Sequence, residues 1–173
     1  LTGNNKTYDG SLAASVSGGG ALSGVLYSDA VTLNSAGATF NFGNKDVGTA
    51  KPIAASGYAL SGVNHGYLLS QPTGLTGDIT KAPLTVSLLN SAPSRQVGEA
   101  NPSFDLVYSG FQGLEGVGDL GVLPTASTLA TSSSLAGLYD ITIAGGSDTN
   151  YDFSYTNPAG TLTLTALPSS ESS

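Results

Sequence analysis

One short stretch of the chain has the residue types and spacing of a cation site. Asp148-Thr149-Asn150-Tyr151-Asp152 matches the opening of a calcium loop, in which side-chain oxygens at alternate positions surround the ion. Such a loop next needs a glycine and ends with a bidentate carboxylate. Phe153 takes the glycine position here, and Ala159, whose methyl group cannot bind a cation, takes the closing position. We therefore expect no metal to be required for folding, and the candidate ligands are Asp148, Asn150 and Asp152.

Groups that could carry out catalysis are scarce. His65 is the only histidine, in the stretch Asn64-His65-Gly66, and the chain has no cysteine. General acid–base catalysis needs a positioned partner group, and no serine or cysteine motif stands beside His65. We predict that His65 is a turn residue, that the chain is not an enzyme, and that it binds no cofactor.

Charge and hydropathy exclude two kinds of partner. The net charge is −7 with only five Lys or Arg, so a phosphate backbone or an anionic membrane is repelled. The longest apolar run, Leu84 to Leu89, is interrupted by Thr85 and Ser87 and is too short to span a bilayer. We expect no nucleic-acid binding and no membrane insertion.

Composition indicates a folded, exported protein. Only 10% of the 173 residues are charged, but 39% are hydrophobic and alternate with Ser and Thr, which favours folded β structure over disorder. Proteins that unfold to cross membranes benefit from lacking disulfides, although 173 residues can also lack cysteine by chance. Together with the richness in Gly, Ser, Thr and Asn, this predicts a secreted or cell-surface location.

The hydrophobic residues follow a period of two along most of the chain. This alternation predicts half-buried strands, chiefly antiparallel, at Val31–Leu33, Ala38–Phe42, Ile141–Ile143 and Leu162–Leu164. Helical periodicity is limited to a glycine-rich stretch, where at most a short helical turn around Leu114 to Leu120 is expected. The predicted fold class is all-β or mostly β, with short antiparallel or mixed strands and little helix.

A domain boundary is expected near Thr80 to Pro83. Pro83 lacks an amide hydrogen, so it should start or precede a strand rather than lie in a central one. We predict a first unit over 1–82, a second over 83–167 and a linker or tail over 168–173. The two units also share an order of features, in which Tyr58 and Tyr67 match Tyr139 and Tyr151, which suggests a repeated architecture.

Three motifs in the first half carry a family resemblance. Lys6-Thr7-Tyr8-Asp9-Gly10, Gly57-Tyr58-Ala59-Leu60-Ser61-Gly62 and the stretch from Gln71 to Ile79 together resemble the YDG module, a β-rich unit of very large exported bacterial surface proteins. In the second half, the stretch from Gly98 to Phe104, the stretch from Ala136 to Ile141, and Asn150-Tyr151 are similar to the MBG ("mostly β-grasp") module.

The resemblance implies an architecture and a role. It implies two tandem β-grasp-like modules within a filamentous-haemagglutinin-like adhesin of a biofilm-forming Gram-negative bacterium, with neighbouring repeat modules of the parent chain as partners. The implied function is a structural stalk or spacer. The alternative is a module that binds carbohydrate or a host glycoprotein through exposed tyrosine and asparagine side chains.

Most motif residues have a structural interpretation. Asp9-Gly10 suits a turn, the ring of Tyr8 suits the core, and Asn101 before Pro102 suits an extended or turn geometry. Parity along the predicted strands places the other motif tyrosines on inward faces. The residues that we predict to be structural are Tyr8, Asp9, Gly10, Tyr58, Tyr67, Asn101, Pro102, Tyr139, Asn150 and Tyr151. Burial of the tyrosines favours the spacer, and an exposed aromatic platform favours the binding module.

Overall fold

A computed structural model describes residues 1–62 and 66–169, and within them the protein is almost entirely β. The chain divides into two compact units, unit 1 (Leu1–Lys81) and unit 2 (Ala82–Ser173). The predicted turn at His65 and the last four residues of the predicted tail lie outside the described residues. No helix in the described ranges is long and apolar enough to cross a membrane.

The strands of unit 1 form one four-stranded sheet and two antiparallel pairs. The strands are β1 (Thr2–Gly3), β2 (Lys6–Thr7), β3 (Val16–Ser17), β4 (Val31–Asn34), β5 (Thr39–Phe42), β6 (Gly48–Ser56), β7 (Ala59–Gly62) and β8 (Leu75–Thr80). The main sheet has the order β2-β8-β6-β5, in which only β2 and β8 are parallel. The separate pairs are β1 with β3 and β4 with β7.

The strands of unit 2 form two mixed sheets. The strands are β9 (Ala82–Leu88), β10 (Ser94–Gln96), β11 (Leu106–Ser109), β12 (Val122–Thr128), β13 (Gly137–Ser147), β14 (Tyr151–Ser154) and β15 (Gly160–Thr165). One sheet has the order β10-β15-β13-β12 and the other β11-β9-β14. A 3₁₀ turn at Val117–Asp119 lies between β11 and β12 and confirms the expectation of one short helical turn there.

The four-stranded sheets of the two units have the same topology. In each, a short edge strand runs parallel to the last strand of the unit, and two further strands follow in antiparallel order. Lys6 of β2 pairs with Ile79, the fifth residue of β8, and Arg95 of β10 pairs with Leu164, the fifth residue of β15. Lys6 and Arg95 therefore occupy equivalent register positions, and the repeated architecture expected from the order of features is present.

The tyrosine-to-tyrosine match between the units is wrong. Tyr139 lies within β13 and pairs with Leu162, whereas Tyr58 lies between β6 and β7. Tyr151 opens β14 as predicted, but Tyr67 lies in an irregular segment and opens no strand. The reason is that β7 forms an antiparallel ribbon with β4, whereas β14 joins β9 in parallel.

Alternating side chains build the core of each unit. Along β9 every second residue is buried, from Ala82 to Leu88, and these side chains meet the inward faces of β13 and β15 at Ile141, Ile143 and Leu162. Burying each such aliphatic side chain contributes about 1.5–3 kcal/mol. The buried set of unit 1 comprises Tyr8, Val31, Phe42, Ile53, Leu75 and Ile79.

Proline positions show how the sheets tolerate a missing amide hydrogen. Pro83 is the second residue of β9, which is the central strand of its sheet, so the expectation that it avoids a central strand is wrong. Pairing with β11 begins only at Thr85, so at Pro83 the strand is paired with β14 alone. Pro52 in β6 follows the same rule, since pairing with β5 begins at Ile53. Each proline therefore lies where one side of its strand needs no hydrogen bond.

Candidate functional site

Tyr8, Asp9 and Gly10 form a turn at the end of β2. The amide of Tyr8 donates to the carbonyl of Thr80 at 2.7 Å, and its side chain is only 1% exposed. Asp9 Oδ1 accepts from both the amide and the hydroxyl of Ser11 at 2.9 Å. Gly10 has a φ of 75°, which a residue with a side chain adopts only at a cost. The three residues lie where the sequence placed them, and their contacts are internal.

Lys6 holds this turn from beneath. Its Nζ donates to Asp9 Oδ1 at 2.7 Å, to the carbonyl of Ser11 at 2.9 Å and to the carbonyl of Ala13 at 2.8 Å. The same Nζ lies 5.5 Å from the centroid of the Phe42 ring. Partial burial raises the pKa of Asp9, but the hydrogen bonds from Lys6 and Ser11 outweigh it and hold that pKa below its usual value.

Arg95 plays the corresponding part in unit 2. Its guanidinium is 7% exposed and donates from Nε to Asn101 Oδ1 at 2.8 Å, from Nη1 to the carbonyl of Gln96 at 3.0 Å and from Nη2 to the carbonyl of Thr131 at 2.9 Å. In the part of the chain that the structure describes, no carboxylate forms a salt bridge with it. A buried cation held only by neutral oxygens serves to join separate loops, here those at 96, 101 and 131.

Asn101 completes this connection, as its structural interpretation requires. Its Oδ1 accepts from Arg95, and its Nδ2 donates to the carbonyl of Ala130 at 2.8 Å. Pro102 follows in extended, half-buried chain. The Gly98–Phe104 motif therefore ties the segment after β10 to the segment after β12.

The predicted calcium ligands form a turn in which the carboxylate binds backbone amides. Asp148 Oδ1 accepts from the amides of Asn150 and Tyr151 at 2.7 and 3.0 Å, and its Oδ2 accepts from the amide of Gly121 at 3.0 Å. Asp152 is exposed on β14. Among the described residues no group of three or more His, Cys, Asp or Glu side chains is arranged to hold a metal. The structure brings Asp148 and Asn150 together for a structural purpose.

Tyr151 is the anchor of the glycine-rich segment between β11 and β12. Its side chain is 2% exposed, and its hydroxyl donates to Glu115 Oε2 at 2.6 Å and accepts from the amide of Gln112 at 2.9 Å. The ring of Phe111 meets the Tyr151 ring edge-on, with centroids 5.6 Å apart. Glu115 was not predicted as a partner, because nothing local in the sequence links two residues 36 positions apart.

The other motif tyrosines are half-buried and make internal contacts. The backbone of Tyr58 exchanges two hydrogen bonds with the side-chain amide of Gln71, and the Tyr139 hydroxyl donates to the carbonyl of Leu135 at 2.8 Å. The Tyr67 hydroxyl donates to Asp29 Oδ2 at 2.7 Å, and this bond to a carboxylate raises the pKa of Tyr67. None of the three presents an open ring.

Sequence reasoning missed the two cations and one exposed tyrosine. Arg95 is the only arginine in a chain with five basic residues, which is a signal that could have drawn attention to it. Lys6 stands at the head of its motif but was not given a role. Tyr27 is 95% exposed, and it lies in an aperiodic stretch that gives no signal of its exposure.

The concave surfaces carry no catalytic grouping. A groove of about 490 Å³ on unit 2 is lined by β12 and β13 residues, including Leu129, Leu138 and Asp140. A second, of about 390 Å³, lies on unit 1 around Leu33 and Tyr58. Neither is lined by a histidine or a basic side chain, so neither offers a general base beside a nucleophile.

Comparison with protein families agrees with this domain order. Residues 1–74 match the YDG domain, and residues 84–163 match the MBG domain of the YGX type. The chain is a YDG domain followed by an MBG domain. Both domains are found in bacterial adhesin-like proteins, so this chain is a β-rich segment of an adhesin-like surface protein. No curated protein and no solved structure shows significant similarity to the YDG–MBG chain.

Proposed function

We propose that the YDG–MBG chain is a structural stalk or spacer of a large secreted bacterial adhesin of the filamentous-haemagglutinin type. It would hold a binding tip away from the bacterial surface, and its partners would be the neighbouring modules of the parent chain. The proposal includes no enzymatic activity.

The internal use of the motif residues supports the spacer role. Tyr8 and Tyr151 are buried, and Asp9, Asn101 and Asp148 accept hydrogen bonds from their own unit. A ligand site needs convergent polar groups directed at solvent. Here the distinctive side chains are used to fix turns and to join loops.

Replacement of the segment within the parent adhesin tests the spacer role. If residues 1–167 are exchanged for an unrelated β segment of equal length, adhesion of the bacteria should be retained. Deletion of the same residues should weaken adhesion, because the tip loses reach. If the length-matched exchange abolishes adhesion as fully as deletion does, the spacer role is wrong.

A second candidate function is binding to a carbohydrate or a host glycoprotein. One observation favours it, namely the exposure of Tyr27, the one tyrosine of the eight that is not at least half-buried. Purified chain added in excess should then compete with adhesion of the parent bacteria, and the Tyr27→Ala variant should not. Equal competition by both proteins, or by neither, contradicts this function.

A further inference from the structure

The turn that carries Tyr27 has an unusual backbone. The amide of Asp29 donates to the carbonyl of Leu26 at 3.0 Å, which closes a four-residue turn. Its two central residues, Tyr27 and Ser28, have φ values of 54° and 59°. Turns of this kind favour Gly, Asn or Asp at both positions, because a bulky side chain with positive φ is strained. Tyrosine is therefore held at this apex against its backbone preference.

One hydroxyl fixes both ends of the turn. Tyr67 Oη accepts from the amide of Leu26 at 2.9 Å and donates to Asp29 Oδ2 at 2.7 Å. The strained conformation is thus maintained by the protein itself and does not depend on a ligand. A rigidly held contact loses less conformational freedom on binding than a mobile one does.

The apex presents an apolar surface that contributes nothing to the core. Tyr27 is 95% exposed, Leu26 is 56% exposed, and Leu68, next to the pinning Tyr67, is 97% exposed. Strained backbone that is maintained by its surroundings is characteristic of functional contacts. Exposed tyrosine is also among the residue types that most often dominate binding energy.

The size and charge of this surface narrow the occupant. With roughly 150–250 Å² for a fully buried aromatic side chain, the three side chains offer clearly less than the ~800 Å² that each partner buries in a stable protein interface. No Lys or Arg lies between Lys6 and Lys45, so the turn has no nearby cation in sequence for an anionic ligand. The ring of Tyr27 is open to stacking, and the hydroxyl groups of Tyr27 and Ser28 are polar.

We propose that the Leu26–Asp29 turn of the YDG domain is a contact site for a neutral saccharide, with the face of the Tyr27 ring packed on the C–H face of a sugar ring. This inference rests on the second candidate function and is independent of the spacer role. Tyr67 is a positioning residue, because it holds the turn and lies beneath the proposed contact.

Titration of the full-length chain with defined hexasaccharides tests the site. Maltohexaose, cellohexaose and N-acetylchitohexaose serve as neutral probes, hexagalacturonate serves as the anionic one, and amide NMR shifts report binding. At least one neutral probe should shift the amides of the Leu26–Asp29 turn. Tyr27→Ala should weaken that binding by about tenfold or more, whereas Tyr27→Phe, which keeps the ring, should retain it.

Two further variants separate the site from general effects. Leu138→Ala removes an equally solvent-facing apolar side chain from unit 2 and should leave the affinity unchanged. Tyr67→Phe removes both hydrogen bonds to the turn and should weaken binding while Tyr27 stays in place. The proposal is overturned if no neutral probe binds, if Tyr27→Ala binds as well as the native chain, or if hexagalacturonate binds as tightly. Self-association of the chain that depends on Tyr27 would also overturn it, in favour of a protein partner.

Discussion

Replacing Arg95 by alanine should severely weaken the MBG domain while the YDG domain stays folded. The substitution removes three donors from the buried guanidinium and leaves Asn101 Oδ1 and the carbonyls of Gln96 and Thr131 without them. These three acceptors belong to three different segments. Their loss should therefore loosen the connection between the loop after β10 and the loop after β12.

The magnitude follows from the number of bonds and from what their loss recovers. Hydrogen bonds to a charged group contribute about 1.5–3 kcal/mol each, but burying a cation without a carboxylate partner costs free energy that the variant regains. Taking about 1 kcal/mol net per bond, and adding the lost packing of the side-chain methylenes, gives about 3–4 kcal/mol. A unit of this size has roughly 5–14 kcal/mol in total, so the loss is a large fraction of it.

Asn101→Ala provides the matched comparison. It removes the bond with Arg95 and the bond to the carbonyl of Ala130, which should cost about 2 kcal/mol. Because the bond between Arg95 and Asn101 is lost in both single variants, the double variant should lose about 1 kcal/mol less than their sum. Leu129→Ala, at an exposed position of the same unit, should change stability by no more than about 0.5 kcal/mol.

Urea titration of the full chain, followed by resolved amide NMR signals from each unit, measures these effects. The signals of unit 1 serve as an internal control, since the two units can unfold at different urea concentrations. An Arg95→Ala variant that loses less than about 1 kcal/mol, or strict additivity in the double variant, would refute the bridging role of the guanidinium.

Four further predictions concern other parts of the chain. Tyr151→Ala should destabilise unit 2 by about 3–5 kcal/mol, whereas Tyr151→Phe, which loses only the hydroxyl bonds, should cost about 1–2 kcal/mol in the same titration. The folded-state pKa of Asp9 is lowered, so its stabilising effect on unit 1 is present above the unfolded pKa of about 4 and is lost as the pH falls through the folded pKa; acid melts of Asp9→Asn should lack this component. Calcium and a chelator should give coincident thermal melts, and a calcium-dependent rise would indicate a site at Asp148–Asp152. Expressed separately, residues 1–81 and 82–173 should each give dispersed amide spectra, and a collapsed spectrum from either would show that it needs the other.

Local patterns in the sequence predicted the strands well. Alternation of apolar residues located the strands at Val31, Thr39, Ile141 and Leu162, because a half-buried strand must place every second side chain inward. The Asp9-Gly10 turn followed from its residue types for a similar reason. In each case the physical cause acts over a few residues.

Long-range register was beyond the sequence. Nothing in the period of β10 or β15 specifies that Arg95 lies beside Leu164, or that its guanidinium reaches the carbonyl of Thr131, 36 residues away. The misplaced match between Tyr58 and Tyr139 has the same origin, since spacing along the chain says nothing about which strand becomes the partner. The exposure of Tyr27 depends on a turn whose residues contradict local preference, so a pattern-based prediction could only miss it.

The parallel pairing of β2 with β8 has a mechanical consequence. These strands carry the two ends of the YDG domain and run in the same direction side by side, so tension on the two ends pulls the neighbours in opposite directions along their length. The contacts between them then resist in shear and must break together instead of opening one at a time. They include the ladder itself, the bond from the amide of Tyr8 to Thr80, and the bond from the amide of Asp78 to Asn5. The tyrosine that gives the motif its name thus lies at the point where a stretched chain would first be strained.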